Sequence, residues 1–134
     1  MTDVREQLAA TFDRGLNDAL GFTLDVAEAD RVVVSWTVGP HHLQPFGLVH
    51  GGVYASAVET AASVAGAIWL GDRGQVVGVS NQTDFLRACR EGRLVATATP
   101  VHRGRSQQLW LVEITDADER LVARGQVRLQ NLTD

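Results

Sequence analysis

The chain opens with a helical pattern of apolar residues, which predicts a helix over residues 1–20. Apolar side chains recur three or four residues apart, at Val4, Leu8, Phe12, Leu16, Ala19 and Leu20. Asp3 and Glu6 have the spacing of a capping box at its start, and Gly21 is expected to end it.

Two alternating segments then predict a β-hairpin. Apolar residues alternate with others at Phe22, Leu24 and Val26, and again at Val32, Val34, Trp36 and Val38. This period of two is typical of strands with one buried face. The residues between the two segments, 28–30, predict the turn.

Residues 51–70 are rich in small apolar side chains and predict a long helix, which begins at Gly51 and Gly52. Glu59 is the only charged residue in this segment, so nearly every face, Glu59 included, is expected to be buried. The length would suit a membrane span. The central carboxylate favours a core helix instead, and no membrane partner is expected.

Four more strand-like segments follow, at about 76–87, 93–103, 107–116 and 120–130, separated by turn sequences. In chain order they predict a four-stranded meander. With the hairpin and the long helix they predict one α+β domain over residues 1–134, in which an antiparallel sheet curls around a central helix. Edges of such a sheet are often covered by a second copy of the chain, so an oligomer is expected.

Composition narrows the class of protein and of ligand. The 134 residues are 45% hydrophobic and 21% charged, which suits one folded domain. One cysteine, Cys89, and a polar N-terminus favour a reducing cytoplasm. The net charge of −4 argues against nucleic-acid binding.

The basic residues are all arginine and are unevenly distributed along the chain. Five of them fall within residues 87–105, at Arg87, Arg90, Arg93, Arg103 and Arg105. This cluster predicts a local patch that attracts anions, and a small phosphorylated ligand fits it.

The start of the long helix is the first candidate for chemistry. Helix N-termini carry free N–H groups and a positive dipole end, so Gly51 and Gly52 would suit an oxygen that gains negative charge. The alternative is that these glycines only ease a tight turn. Glu59 is a candidate base, with pairing to an arginine as its alternative. Ser63 shares the face of Glu59 one turn later, where it could position the carboxylate or bond back to its own helix.

The segment Gln44-Pro45-Phe46-Gly47-Leu48-Val49-His50-Gly51-Gly52, the carboxylate nine residues after His50, and the segment 100–105 together resemble one family. They are similar to the hotdog-fold acyl-CoA thioesterases, in the branch of the phenylacetate-pathway, 4-hydroxybenzoyl-CoA and 1,4-dihydroxy-2-naphthoyl-CoA enzymes. The resemblance runs from about Leu20 to Leu132. It implies a hotdog fold and hydrolysis of an acyl-CoA substrate. No cofactor or metal is expected, and the chain is expected to form at least a homodimer and more specifically a homotetramer.

The resemblance also assigns roles to residues. The family residue that matches Glu59 acts either as a general base on water or as a nucleophile on the thioester, and both roles stay open. Gln44 and His50 match residues that hydrogen-bond the thioester carbonyl and orient the site. At the turn Arg103-Gly104-Arg105, guanidinium and backbone N–H groups would hold the phosphates of coenzyme A.

The chain departs from the family at one point, and two other functions are known for this fold. Some relatives carry two histidines where this chain has residues 83–85, and Phe85 makes an apolar or aromatic acyl pocket plausible. A hydratase of this fold would need an Asp five residues before a His, which no histidine here has. A non-catalytic acyl-CoA-binding or sensing protein is the alternative function. Gly51 and Glu59, about 12 Å apart along one helix, predict a site shared between two chains.

Overall fold

The long apolar helix lies across one face of a single antiparallel sheet. In the computed structural model, which describes residues 3–133, this helix is α3, Gly51–Leu70, with the bounds that the sequence predicts. The other elements are α1 Val4–Thr11, α2 Leu16–Ala19, β1 Thr23–Ala27, β2 Val32–Thr37, β3 Gln75–Phe85, β4 Arg93–Arg103, β5 Gln107–Thr115 and β6 Leu121–Leu132. The predicted architecture, an antiparallel sheet around a central helix, is confirmed.

The strands follow the order β1-β2-β4-β5-β6-β3 across the sheet. The predicted meander of four strands is therefore wrong for β3, which pairs with β6 and forms one edge of the sheet. The connection from β3 to β4 is too long for a tight hairpin, and it is held at the start of β6. There the N–H groups of Leu86 and Arg87 both donate to the carbonyl of Val122, at 2.9 and 3.1 Å.

The predicted helix over residues 1–20 is divided into α1 and α2 in the structure, and its first two residues lie outside the described range. The break falls before Gly15, whose φ of 60° and ψ of −127° do not continue a helix and favour glycine. Phe12 is buried in the core ahead of the break, whereas Leu16 remains 60% exposed. Asp3 is the N-cap of α1, as its place in the predicted capping box requires, but its carboxylate accepts from the N–H of Arg5 at 2.9 Å and no reciprocal bond with Glu6 forms within residues 3–133.

Small residues allow the sheet to curl closely around α3. The fully buried positions of the helix are Ala57, Val58, Ala61, Ala62 and Ala65. They face large side chains of the sheet such as Trp110, Ile114 and Leu129. At Gly66 an added Cβ would overlap a methyl carbon of Leu129 and the side-chain oxygen of Gln108, so a larger residue would force these two side chains to move.

The opposite face of α3 is not covered by the sheet. Gly52 and Glu59 are exposed there, and Ser56 and Ser63 are half-buried. The expectation that nearly every face would be buried is thus wrong for a single chain, because one sheet covers only one side of a helix. With the turn that follows it, α3 forms the segment Gly51–Arg73, which is long and apolar enough to cross a membrane, although 56% of its most apolar window is buried. A core helix passes the same test.

His42 fastens the loop that leads into α3. Its ring is buried, Nδ1 accepts from the N–H of Gly39 at 2.9 Å, and Nε2 lies 2.7 Å from the carbonyl of Leu20. These two bonds fit the neutral tautomer that carries its proton on Nε2. No pattern in the sequence predicts a role for this residue.

We expect His42 to make the stability of the fold depend on pH. Burial lowers the pKa of His42, and the neighbouring His41 ring lowers it further, against the opposing effect of the Leu20 carbonyl. The unfolded chain therefore binds a proton at a higher pH than the folded one. Neutral His42 should contribute fully to the free energy of unfolding above about pH 6.5. The free energy of unfolding should fall as the pH drops below that value.

Thermal unfolding between pH 7 and 5 checks this expectation. Because it removes the titrating group, His42→Asn should flatten the pH dependence, although it also loses the bond to Leu20. His41→Asn, at an exposed position, should keep most of the slope. Equal slopes in the native chain and His42→Asn would contradict the assignment.

Candidate active site

The start of α3 carries one free backbone donor. The N-cap residue is His50, whose Nδ1 accepts from the N–H of Gly52 at 2.7 Å. Within residues 3–133 the N–H of Gly51 has no hydrogen-bond partner. The two free donors expected from the sequence are thus reduced to one, because the side chain of His50 occupies the other.

Gln44 lies beside this donor. Its side-chain oxygen accepts from the N–H of Phe46, and its backbone N–H donates to the carbonyl of Leu48 at 2.7 Å. The amide nitrogen is then left to donate. Gln44 and Gly51 line the same cavity, so both could bond one oxygen there.

This cavity has a volume of about 320 Å³ and lies between the start of α3 and the end of β3. Its walls include Val49, Tyr54, Phe85 and Leu86. The ring of Phe85 lies directly against Gly51, since a Cβ there would come 2.5 Å from the Phe85 Cζ. An apolar group would pack against these walls, with its polar end at the helix start.

Cys89 also borders the cavity and is buried, as expected for a small apolar residue. Its thiol donates to the carbonyl of Glu91 at 3.3 Å. The same segment supports the loop of Gln44, since the N–H of Val49 donates to the carbonyl of Cys89 at 2.8 Å. Cys89 therefore has a structural role in the wall of the cavity.

Glu59 is exposed and forms no ion pair within the described residues. The burial expected from the sequence is not found in the single chain, because Glu59 lies on the uncovered face of α3. It follows Gly51 by eight residues, about 12 Å along the helix axis. One chain therefore does not bring this carboxylate to the donor at Gly51.

Ser63 lies one turn after Glu59 on the same uncovered face. Its hydroxyl makes no hydrogen bond to any group in residues 3–133. The back-bond to the helix, which was the alternative for Ser63, is made instead by Ser56, whose hydroxyl donates to the carbonyl of Gly52 at 2.7 Å. The hydroxyl of Ser63 is thus available to a ligand or to Glu59.

The single arginine patch expected from the sequence is divided in two. Arg93 and Arg103 stand at opposite ends of β4, about 30 Å apart at the usual rise of an extended strand. Arg93 pairs with Asp25 at 3.0 Å. Arg87 and Arg90 accompany Arg93 at the end near the cavity, because all three precede or begin β4. Only Arg103 and Arg105 lie together at the far turn.

The far turn presents one free guanidinium group. Arg103 is engaged, because it pairs with Asp30 at 2.7 Å and donates to the carbonyl of Ala29 at 3.1 Å. Arg105 is exposed, and its side chain has no partner within the described residues. Arg103, Gly104 and Arg105 border a second cavity of about 340 Å³, next to Trp69 at the end of α3.

A buried polar network, which was not predicted from the sequence, holds this turn. Asn131 donates to the carbonyls of Gly104 and Arg105 at 3.0 and 3.1 Å. Gln108 donates to Asn131 at 2.8 Å and accepts from the indole N–H of Trp110 at 2.7 Å. Gln108 occupies an inward position of β5 that otherwise carries apolar residues, and this was the available signal.

The described residues offer no evident metal site. No three His, Cys, Asp or Glu side chains within residues 3–133 are grouped so that they could hold an ion.

Comparison with known proteins connects this geometry to a family. A family model described as the thioesterase superfamily matches residues 46–123. The match contains the start of α3, the carboxylate on its uncovered face and the arginine turn.

Individual relatives cover most of the chain. It is 58% identical over 116 residues to a protein of Mycobacterium tuberculosis (strain ATCC 25618 / H37Rv) whose name assigns it provisionally to the esterases, with 84% of this chain and 83% of that protein covered. It is 34% identical over 108 residues to the 1,4-dihydroxy-2-naphthoyl-CoA hydrolase of Listeria monocytogenes, with 81% of this chain and 88% of the hydrolase covered. A solved thioesterase structure from Haemophilus influenzae superposes with a TM-score of 0.90 at 29% identity, over 99% of this chain and 93% of that one.

Proposed function

The chain belongs to the thioesterase superfamily and is an acyl-CoA thioesterase, and we propose that its substrate carries an aromatic or similar acyl group. The observation that carries this proposal is the unpaired N–H of Gly51, which lies at a helix start and borders a cavity with apolar walls. The acyl group would fill the cavity. The thioester carbonyl would then lie at the helix start.

The carbonyl oxygen gains negative charge when the thioester is attacked. The Gly51 N–H and the positive end of the α3 dipole would stabilise that charge, and the amide nitrogen of Gln44 supplies a second donor. His50 supports the arrangement indirectly, because it caps Gly52 and fixes the first turn of the helix. In this mechanism His50 is a positioning residue.

Glu59 would deliver the attack, either as a general base that activates water or as a nucleophile that forms an anhydride with the acyl group. Ser63, one turn further along α3, would orient the water or the carboxylate. Nothing in the geometry of the single chain favours one of these two routes over the other.

The two halves of this site would come from two chains. One thioester carbon must lie within roughly 3 Å of the attacking group and near the donors, which 12 Å of helix does not allow. Two antiparallel copies of α3, related by a two-fold axis, would bring Glu59 of one chain to Gly51 of the other.

The exposed surface of the chain suits such a partner. The edge strand β3 displays Val77, 43% exposed, and Val79, 52% exposed, beside the uncovered face of α3. Pairing of this edge with a second copy would extend the sheet and cover both features. We propose a homodimer at least, and a homotetramer as the complete assembly.

The nucleotide of coenzyme A would bind at the turn Arg103-Gly104-Arg105. Arg105 offers the free guanidinium group for a phosphate, whereas Arg103 is held by Asp30 and shapes the turn. Trp69, which borders the same cavity, follows Glu59 by ten residues, about 15 Å along α3. A substrate attacked by Glu59 would therefore extend along that helix towards the turn of the same chain.

Removing the charge of Glu59 should abolish most of the activity. We expect Glu59→Gln to lower kcat by roughly 10² to 10⁴, because water is no longer activated or the nucleophile is lost. The variant should be at least as stable as the native protein, because Glu59 makes no ion pair within residues 3–133 and a neutral amide is less costly than a carboxylate to cover in the assembly. Release of free thiol from a panel of acyl-CoAs measures the rate, and Glu6→Gln on α1 serves as the matched control. Near-normal turnover in Glu59→Gln would remove Glu59 from the mechanism.

Mixed oligomers test whether the site is shared. Gly51→Pro removes the donor at the first helical position, where proline is otherwise well tolerated. Glu59→Ala removes the carboxylate. In a mixed dimer one site carries both lesions and the other carries neither, so activity should return towards half of the native value.

Gly51→Ala is the matched control for the proline variant, because its Cβ meets Phe85 in the same way but the N–H is retained. Verified heterodimers that stay inactive would place both groups in one chain.

Substrates with and without the nucleotide test the arginine turn. Arg105→Ala should raise KM for an acyl-CoA far more than for the matching acyl-pantetheine, because only the acyl-CoA carries phosphates that Arg105 could bind. Arg103→Ala should act less selectively, because its guanidinium group is already paired. Arg5→Ala, on the exposed surface of α1, is the control. Equal losses on both substrates would show that Arg105 does not contact the nucleotide.

A further inference from the structure

Tyr54 holds a buried hydroxyl group that the proposed chemistry does not use. The residue lies one turn after Gly51 on α3 and is 3% exposed. Its hydroxyl oxygen has no hydrogen-bond partner in the described part of the chain. A buried polar group without a partner is unfavourable, and such groups in a folded protein call for a physical reason.

The position of Tyr54 suggests that reason, because the residue borders the same cavity as Gly51 and Gln44. Burial raises the pKa of Tyr54 to about 12, so the phenol stays protonated and can both donate and accept. The thiol of Cys89, also in the cavity wall, donates to the carbonyl of Glu91 and is engaged there.

One other side chain in the described residues has a buried polar atom without a partner, and it provides a contrast. The indole N–H of Trp36 is also buried without a partner in residues 3–133. Trp36 packs in the core against Phe22, with ring centroids 5.0 Å apart, and it does not border the cavity. Tyr54 therefore combines an unpaired polar atom with access to a binding site.

We propose that Tyr54 is a specificity-determining residue whose hydroxyl group hydrogen-bonds an oxygen substituent on the acyl part of the substrate. The proposal rests on the proposed function, because it assumes that the acyl group fills this cavity. Tyr54 follows Gly51 by three residues, about 4.5 Å along the helix axis. The substituent would thus lie on a part of the acyl group other than the thioester carbonyl, which the Gly51 N–H would bind.

Phe85 provides a way for the substituent to reach the hydroxyl group. Its ring lies beside that of Tyr54, with centroids 6.0 Å apart, yet Phe85 is 58% exposed. An exposed side chain at the end of a strand can change rotamer without disturbing the core. The entering acyl group would displace this ring and take its place against Tyr54.

Discrimination would follow from the cost of leaving the hydroxyl group unpaired. A site with a buried hydrogen-bonding group favours the ligand that pairs with it and rejects the analogue that lacks the partner. The native enzyme should therefore prefer an oxygen-substituted acyl group over the same acyl group without the oxygen.

Tyr54→Phe tests the proposal with benzoyl-CoA and its 2-, 3- and 4-hydroxy derivatives. For the native enzyme, kcat/KM should be higher for at least one hydroxybenzoyl-CoA than for benzoyl-CoA. Tyr54→Phe should reduce that preference by roughly tenfold to a hundredfold, while benzoyl-CoA is hydrolysed as fast or faster. The free variant should be as stable as the native chain or more so, because no hydrogen bond is lost.

Trp36→Phe is the matched control, since it deletes the other unpaired polar atom away from the cavity and should keep the native preference. Two outcomes distinguish failure of the proposed function from failure of the role of Tyr54. If no acyl-CoA is hydrolysed by the native protein, the proposed function fails. If they are hydrolysed but Tyr54→Phe keeps the native preference, or is clearly less stable or unfolded, Tyr54 is a structural residue and the inference is overturned.

Discussion

The packing of α3 into the curl of the sheet is the contact on which the rest of this structure depends. Its buried face consists of small residues, so the strands can approach closely, and Gly66 leaves room against the helix for the side chains of Leu129 on β6 and Gln108 on β5. Large side chains such as Trp110 and Ile114 fill the space that the alanines leave. Because the core is close-packed, the helix has one position on the sheet, and the groups at its two ends are fixed with it.

The chemistry available at the start of α3 depends on this fixed position and on which of its backbone N–H groups are already hydrogen-bonded. His50 takes the N–H of Gly52, the turn itself takes the N–H of Val53, and the N–H of Gly51 remains. Phe85 then closes one side of the cavity against the glycine. A larger residue at position 51 would have to displace that ring, so the glycine serves close packing as well as binding.

Local patterns predicted much of this fold because they depend on neighbours in the sequence. The bounds of α3 and the cap at Asp3 follow from apolar spacing and from residues within one turn. The place of β3 beside β6 does not, since it is decided by contacts between residues some 50 positions apart. The break before Gly15 was missed because a single glycine inside a periodic segment is a weak signal, and only the structure shows that this glycine adopts a φ of 60°.

The same distinction holds for the candidate site, where local features could be predicted and contacts between distant residues could not. The residues at the helix start follow from a continuous segment of sequence. The arginine patch does not, because residues close in sequence lie far apart once a strand extends between them. Gln108 and Asn131 were not predicted to matter, because the role of a polar residue at an inward position can be assigned only when its hydrogen-bond partners are known. Tyr54 was not predicted as a site residue because an aromatic residue on a buried helix face is common. Only the structure shows that its hydroxyl group has no partner within the described residues.

α3 carries only one charged residue, yet one of its faces is not covered by the sheet in the single chain. Residues such as Gly52, Ser56 and Ser63 are small, so a second helix could approach this face closely without strain. In the assembly we propose, that helix would cover Glu59 and exclude water from it. Electrostatic interactions strengthen when water is removed, so a carboxylate that is solvated in one chain would act on the thioester only after assembly. The same surface would thus bring the catalytic groups together and create the environment in which they react.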